Sequence, residues 1–229
     1  MGGMHQVSIR QAIIDRVMAR RGRLHWFERL DPKSTALAVI DMQSMFCEPG
    51  APGEVQEARG IVEPINRLTA ALRAIGVPVF WVLHANRQRD GGSDWDLFFD
   101  HVVADPEVRR GTIESLAPGR QTLWRELQSA PQDVTLMKNR YSAFSPGASQ
   151  LEPALRSRGI DTLLVAGTKT NVCCDSTARD AMMLGFKAVL VADCCAALSD
   201  DEHRSALETF IQQFGDVMTA EEALARLRS

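Results

Sequence analysis

Thr162-Leu163-Leu164-Val165-Ala166 runs into Gly167-Thr168-Lys169-Thr170-Asn171-Val172-Cys173-Cys174-Asp175-Ser176-Thr177, and this stretch decides the fold. Five aliphatic or β-branched residues in a row read as a strand buried on both faces, since a strand with one wet face would alternate. The small-residue turn after it leads into a helix, in which Ala178, Ala181 and Met182 recur at helical spacing. Similar short apolar runs lie at 36–40, 77–83, 134–137 and 188–191, with a weak one at 216–219. Between them Ile61, Ile65, Leu68 and Leu72, then Leu151 and Leu155, then Ala206 and Phe210 keep helical spacing, and 220–227 closes the chain as a helix. Strand followed by helix, repeated, implies parallel strands joined by right-handed crossovers, with helices on both faces. The expected fold is α/β: a doubly wound three-layer αβα sandwich around a mainly parallel six-stranded sheet.

Two stretches break this rhythm. In residues 7–21, Ile9, Ile13, Val17 and Met18 share one helical face while Arg10, Arg16 and Arg20 lie elsewhere. This predicts an extra helix packed on the body or on a neighbouring subunit, within an N-terminal helical extension at 1–30 ahead of a single domain at 31–229. Residues 86–115 are polar and too long for an ordinary connection, which is how lids and substrate loops read. Trp95, Phe98 and Phe99 inside it either cap a pocket or form a satellite cluster under the loop.

Of the 229 residues 45% are hydrophobic and 24% charged, the balance of a globular chain with a sizeable core. A net charge of −3 offers no basic field for a phosphate backbone, so small molecules rather than nucleic acid are the expected partners. No apolar run approaches the roughly 18 residues of a membrane span, and residues 1–10 lack the apolar core of a signal peptide, so the expectation is a cytoplasmic protein. The acylation motif that Met1-Gly2 would open fails, because Gln6 stands where Ser or Thr is needed. Five cysteines, an odd number, read as reduced thiols, and neither they nor the five histidines have zinc-ligand spacing. No metal and no cofactor are expected.

In an open parallel sheet, ligands bind beyond the carboxyl ends of the strands, so the strand ends are where chemistry is sought. The first strand ends at Asp41, a carboxylate desolvated by its apolar neighbours that needs a cation nearby unless it is a helix cap. The third ends at Lys138, which is either that cation or a side chain that snorkels to water. Beyond the fourth, a helix start places backbone N–H groups and a positive dipole end next to Cys173 and Cys174. Cys174, Cys194 and Cys195 read as small buried apolar residues.

Val39-Ile40-Asp41-Met42-Gln43, Lys138-Asn139-Arg140-Tyr141-Ser142-Ala143-Phe144 and Gly167-Thr168-Lys169-Thr170-Asn171-Val172-Cys173 together resemble the isochorismatase-like cysteine hydrolases. The resemblance spans about 35–219 and is nearest to the ureidoacrylate and biuret type of amidohydrolase. It implies Cys173 as nucleophile, Asp41 as general base and Lys138 as the third member of a triad. It also implies a non-proline cis peptide between Thr168 and Lys169, turning the backbone N–H of Lys169 beside that of Cys173 as an oxyanion hole. A free thiol has a pKa of about 8.5 and aspartic acid about 3.9, so unassisted transfer of the Cys173 proton would be uphill by roughly 6 kcal/mol. Desolvation of Asp41, with Lys138 and the helix dipole favouring the thiolate, is expected to close that gap in a coupled triad.

Departures from the family pattern narrow the expected substrate. The second strand leads to His84-Ala85-Asn86-Arg87, without the Asp-x-His metal set of nicotinamidases, and Cys173 argues against the vinyl ether cleavage of true isochorismatases. The implied reaction is hydrolysis of a C–N bond in a small linear amide or ureide (biuret, triuret, ureidoacrylate or N-carbamoyl type) through a thioester. Arg140, Tyr141, Asn171 and Gln213 are the expected donors to such a substrate. Phe46 is its expected wall, with Trp81 the alternative, though core packing suits Trp81 better. The resemblance further implies a homo-oligomer, with a tetramer favoured. The alternatives are a catalytically silent binding or scaffold protein, or an isochorismatase- or nicotinamidase-type hydrolase with a different substrate. A nucleotide-binding fold is weaker, because both glycine-rich phosphate motifs are missing.

Overall fold

The structure, a computed structural model, describes residues 3, 5–90 and 92–228. Met1 and Gly2 of the failed acylation motif, Met4, Gly91 and Ser229 lie outside the described residues. In chain order the first half comprises α1 (Gln11–Arg21), β1 (Thr35–Ile40), α2 (Ser44–Cys47), α3 (Val62–Ala74), β2 (Val79–His84), β3 (Gln88–Arg89), β4 (Gly92–Ser93) and α4 (Pro106–Leu116). The second half comprises β5 (Val134–Lys138), α5 (Leu151–Arg156), β6 (Thr162–Thr168), α6 (Asp175–Met183), β7 (Lys187–Ala196), α7 (Asp200–Gln213), β8 (Asp216–Met218) and α8 (Ala220–Arg228).

Six strands form one sheet in the order β5-β2-β1-β6-β7-β8, and every pairing in it is parallel rather than mainly so. The period-2 side-chain alternation of buried strands splits the core in two. Leu37 and Val39 of β1 join Trp81, Leu164 and Ala166 under α3 and α8, while Ala36, Ala38 and Ile40 join Phe80, Val82, Leu163 and Val165 under α5, α6 and α7. Each such side chain contributes about 1.5–3 kcal/mol by leaving water, so covering both faces is what holds the sheet in place. β5 departs from the buried pattern. As an edge strand it leaves Thr135 and Met137 exposed, and of its five residues only Lys138, at its carboxyl end, is buried.

The chain passes from β1 outward to β2 and β5, then returns to lay β6 on the other side of β1, so the strand order reverses between β1 and β6. The backbones close up at that point. Gly167 pairs with Ile40, has φ +112°, and a Cβ on it would lie 2.1 Å from the Ile40 carbonyl oxygen.

α1 begins at Gln11 rather than near Val7 and packs on α7 of its own chain. Val17 is buried there, the Arg10 guanidinium pairs with Glu208, and Arg16 Nη1 donates to Gln212 Oε1 at 3.0 Å. The 86–115 stretch is largely structured. It contains the β3–β4 ribbon, a wide turn in which Val103 N donates to Phe98 O at 3.1 Å, and α4. The Asp105-Pro106 pair explains α4: Asp105 Oδ1 accepts from Glu107 N (3.0 Å) and Val108 N (3.1 Å), with proline at the first helical position.

Candidate active site

The reversal of strand order brings three strand ends into reach of one another. Asp41 follows β1 directly in the left-handed conformation, φ 55°, which aspartate tolerates better than most residues; its N–H donates to Val82 O at 2.8 Å and its carbonyl accepts from Gln43 N at 2.9 Å. Lys138 closes β5, two strands away, opposite His84 at the end of β2. Beyond β6 the Thr168–Lys169 bond is cis, as the sequence resemblance implied. The chain then makes a turn one residue wider than α: Cys174 N donates to Lys169 O at 3.1 Å, an i to i+5 bond. That turn carries Cys173 to the head of α6.

The side chains meet beneath the surface. Lys138 Nζ lies 2.8 Å from Asp41 Oδ2 and donates to His84 Nδ1 at 3.1 Å and to the Arg140 carbonyl at 3.0 Å. A carboxylate oxygen of Asp41, a ring nitrogen of His84 and Cys173 Sγ all fall within 4.8 Å of one another. Asp41, Lys138, His84 and Cys173 are all buried. Neither Asp41 oxygen has a well-aligned hydrogen-bond donor, so the carboxylate is paired by charge and remains open to a proton.

Burial dominates the electrostatics. It raises the Asp41 pKa, and the Lys138 ammonium and the Cys173 thiol pull it back only in part. Burial lowers that of Lys138, but the charges of Asp41 and Cys173 outweigh it and the ammonium is held more firmly than usual. The Cys173 thiol is pushed up to about 12, first by burial and then by the Asp41 charge, with Lys138 opposing. Burial thus works against an anion at both Asp41 and Cys173, and the Lys138 ammonium opposes it at each. The expectation of a favoured thiolate is not met in this arrangement, because a desolvated anion beside Asp41 costs more than one ammonium returns. His84 is held well below its ordinary value by burial and by Lys138, and is neutral.

Among the expected substrate contacts, Tyr141 stands near Cys173 and Lys138, and its pKa is raised, chiefly by burial. Trp95 packs edge-on to it at 4.7 Å between ring centroids and stacks on His84 at 5.9 Å, and Phe98 stacks on Trp95 at 4.9 Å. These rings form one cluster with Tyr141 and His84, and Phe99 of the same stretch is buried against Phe98. Arg140 is spent on the backbone: Nη1 donates to Asn139 O and Nη2 to Asp94 O, both at 2.7 Å, with the guanidinium over Trp95. Asn171 opens on a cleft of about 430 Å³ with Asp175, Arg179 and Asp201, which none of the three triad residues lines. Phe46 is half-buried against Gly53. Trp81 is core, its Nε1 donating to Asp133 Oδ2 at 2.8 Å.

Gln213 is a correction. It ends α7, which starts beyond the carboxyl end of β7 and runs back to the amino end of β8, so Gln213 lies exposed at the far end of the sheet from Cys173. A parallel connection sends the helix C-terminus away from the strands' carboxyl ends.

Sequence reasoning passed over His84, treating it only as a missing metal ligand, and with it Gln43, Asn86 and Asp94. The signal was available, since His84 follows an apolar strand just as Asp41 and Lys138 do. Among the described residues Asp41, His84 and Cys173 are a set of three side chains close enough to share a metal ion. The Lys138 ammonium already contacts two of them, so a divalent cation would have to displace it.

The isochorismatase domain family matches residues 35–222. An uncharacterised isochorismatase family protein, YecD of Escherichia coli O157:H7, is 31% identical over 205 residues, covering 86% of this chain and 98% of that protein. The ureidoacrylate amidohydrolase RutB of Methylobacterium radiotolerans is 32% identical over 214 residues, covering 85% of this chain and 81% of RutB. The crystal structure of a cysteine hydrolase from Pseudomonas syringae pv. phaseolicola 1448A superposes with a TM-score of 0.76 at 33% identity, covering 87% of this chain and 94% of that one.

Proposed function

The chain belongs to the isochorismatase family, and from that premise we propose that it hydrolyses a C–N bond in a small linear amide or ureide, with Cys173 as nucleophile, Asp41 as general base and Lys138 fixing the charge between them. One observation carries this reading: a thiol, a carboxylate and an ammonium converge in a buried site at the switch point of the sheet, with Cys173 Sγ within 4.8 Å of the carboxylate. Similarity to an amidohydrolase at 32% identity supports the C–N bond as the one cleaved.

Cys173 attacks the substrate carbonyl carbon while its proton passes to Asp41, whose raised pKa brings donor and acceptor closer together. The carbonyl oxygen becomes an oxyanion, received by the backbone N–H groups of Lys169 and Cys173. Asp41 returns the proton to the departing nitrogen, which leaves as ammonia or an amine, and the acyl group stays on sulfur as a thioester. Water, deprotonated by Asp41, hydrolyses the thioester to acid and free thiol. Throughout, Lys138 keeps its charge. It offsets the carboxylate in the resting site and the developing anion at sulfur once Asp41 is neutral.

The buried site, with Trp95, Phe98 and Tyr141 packed together beside it, suits a compact substrate. The test is ammonia release from biuret, triuret, ureidoacrylate, N-carbamoyl amino acids and nicotinamide, run beside Cys173→Ala. Turnover of a ureide that falls about a thousandfold or more in the variant is expected, as for loss of any covalent nucleophile. Turnover of nicotinamide alone would overturn the substrate class, and turnover that survives the substitution would overturn the nucleophile.

A further inference from the structure

Lys138 carries three protons and has no lone pair, so at each of its contacts it is the donor. The nitrogen it meets on His84, Nδ1 at 3.1 Å, must therefore be unprotonated. The one proton of the neutral ring sits on Nε2 and is given to Asn86 Oδ1 at 2.8 Å. Asn86 is oriented in turn, because its Nδ2 donates to Asp94 Oδ1 at 2.7 Å and to Asn139 O at 3.3 Å. The other Asp94 oxygen accepts from Arg87 N and Asn139 Nδ2, both at 3.1 Å. Each link has a single direction, and the series joins the β3–β4 segment to the ammonium of the triad. Gln43 fixes the backbone of His84, donating to its carbonyl at 3.0 Å and accepting its N–H at 2.6 Å, and the ring stacks on Trp95.

We propose that His84 is a positioning residue of this site: its bare Nδ1 holds the Lys138 ammonium against Asp41, and Asn86, seated by Asp94, keeps the ring in the form that can do so. The proposal rests on reading Asp41, Lys138 and Cys173 as the reacting groups. His84 itself takes up no proton and touches no substrate. A second proton on the ring would set two cations 3.1 Å apart with Arg140 close by. Removing the ring nitrogen would leave a buried ammonium proton without an acceptor, and the ammonium would keep only the Arg140 carbonyl as a hydrogen-bonded partner.

Two measurements test this without any substrate. Proton–nitrogen correlation spectra of the imidazoles should show His84 as the neutral Nε2–H form from pH 5 to 9. The rate at which iodoacetamide alkylates Cys173, read by mass spectrometry, is then compared in His84→Phe, which keeps the stacking on Trp95, and His84→Asn, which returns an amide oxygen near the place of Nδ1. Phenylalanine should slow alkylation at pH 8 about tenfold and asparagine should restore it to within about threefold of the parent, the scale set by one unpaired buried donor. A His84 ring found as Nδ1–H, one that titrates between pH 6 and 7, or variants that behave alike would overturn the proposal. If the alkylation pattern holds while no ureide is turned over, the substrate reading fails and the assignment of His84 stands.

Discussion

Lys138 Nζ and Asp41 Oδ2 are 2.8 Å apart, and neither side chain is reached by solvent. Both arrive from strand ends separated by β2, so the pair closes a gap of two strand spacings, about 10 Å, by the length of the lysine side chain. A pair buried this completely is held by the fold more than it holds the fold, because each charge has lost its water.

Breaking it from one side should therefore be costly. Asp41→Asn, which keeps a residue tolerant of the left-handed backbone, and Lys138→Met should each lose about 3–5 kcal/mol of unfolding free energy, since each leaves a buried charge uncompensated. The double variant should recover most of that loss while staying inactive. Urea unfolding of the four proteins measures it, and equal additive losses in the double variant would contradict the coupling.

Alkaline pH should weaken the fold through its thiols. Burial pushes Cys173 and Cys47 up to about 12 from an ordinary value of 9.0, with the Asp41 charge adding to it at Cys173 and the Arg59 charge opposing it at Cys47. The unfolded chain thus releases these protons first, and stability present below about pH 9 is lost as the pH rises toward 12. Each such thiol adds a slope of about 1.4 kcal/mol per pH unit within that window. Cys173→Ser should flatten the dependence of the urea midpoint between pH 9 and 11 by one thiol's share.

The acid side should involve His203, whose Nδ1 meets Thr170 Oγ1 in the turn before Cys173 at 2.8 Å and whose ring stacks on His5 at 4.4 Å. Burial, and then His5, lower its pKa from 6.5 to about 4. The unfolded chain takes up the proton first as the pH drops, so stability present above pH 6.5 is lost on the way down to about 4. His203→Asn should show a shallower loss than the parent between those values, measured by urea unfolding at half-unit steps.

Gly167 and Gly76 both have positive φ, and they should answer differently to alanine. At Gly76 (φ +79°) an added Cβ meets nothing within 4 Å, so Gly76→Ala should cost only the left-handed conformation, about 1–2 kcal/mol. At Gly167 the Cβ would strike the Ile40 carbonyl, and β1 and β6 would have to part where Asp41 and Cys173 meet. Gly167→Ala should destabilise by roughly 3 kcal/mol or more and reduce activity with it. Thermal melts of both variants decide it.

Local pattern made much of this molecule legible. Unbroken apolar runs mark β1, β2 and β6 because both of their faces are covered. Asp41 and Lys138 stand out because each charged group follows directly on an apolar run, and Cys173 because it lies in the small-residue turn that leads from β6 into α6. The helix α4 was missed because Gly111 interrupts its period, although Asp105-Pro106 announces its start. β5 was read as buried when it is an edge, since the order of strands in space is not written in their order along the chain.

The sequence by itself determined the alternation of strand and helix, the parallel sheet that alternation requires, and which residues stand at the strand ends. All of these follow from the period of the chain and the burial each period demands. Tertiary structure alone decided which of those ends meet. It seated His84 between Lys138 and Asn86, packed Trp95 against His84 and Tyr141, committed Arg140 to backbone carbonyls and carried Gln213 to the far end of the sheet. Contacts of this kind depend on distances between residues tens of positions apart and on the water that burial removes, and neither is a property of any local stretch of chain.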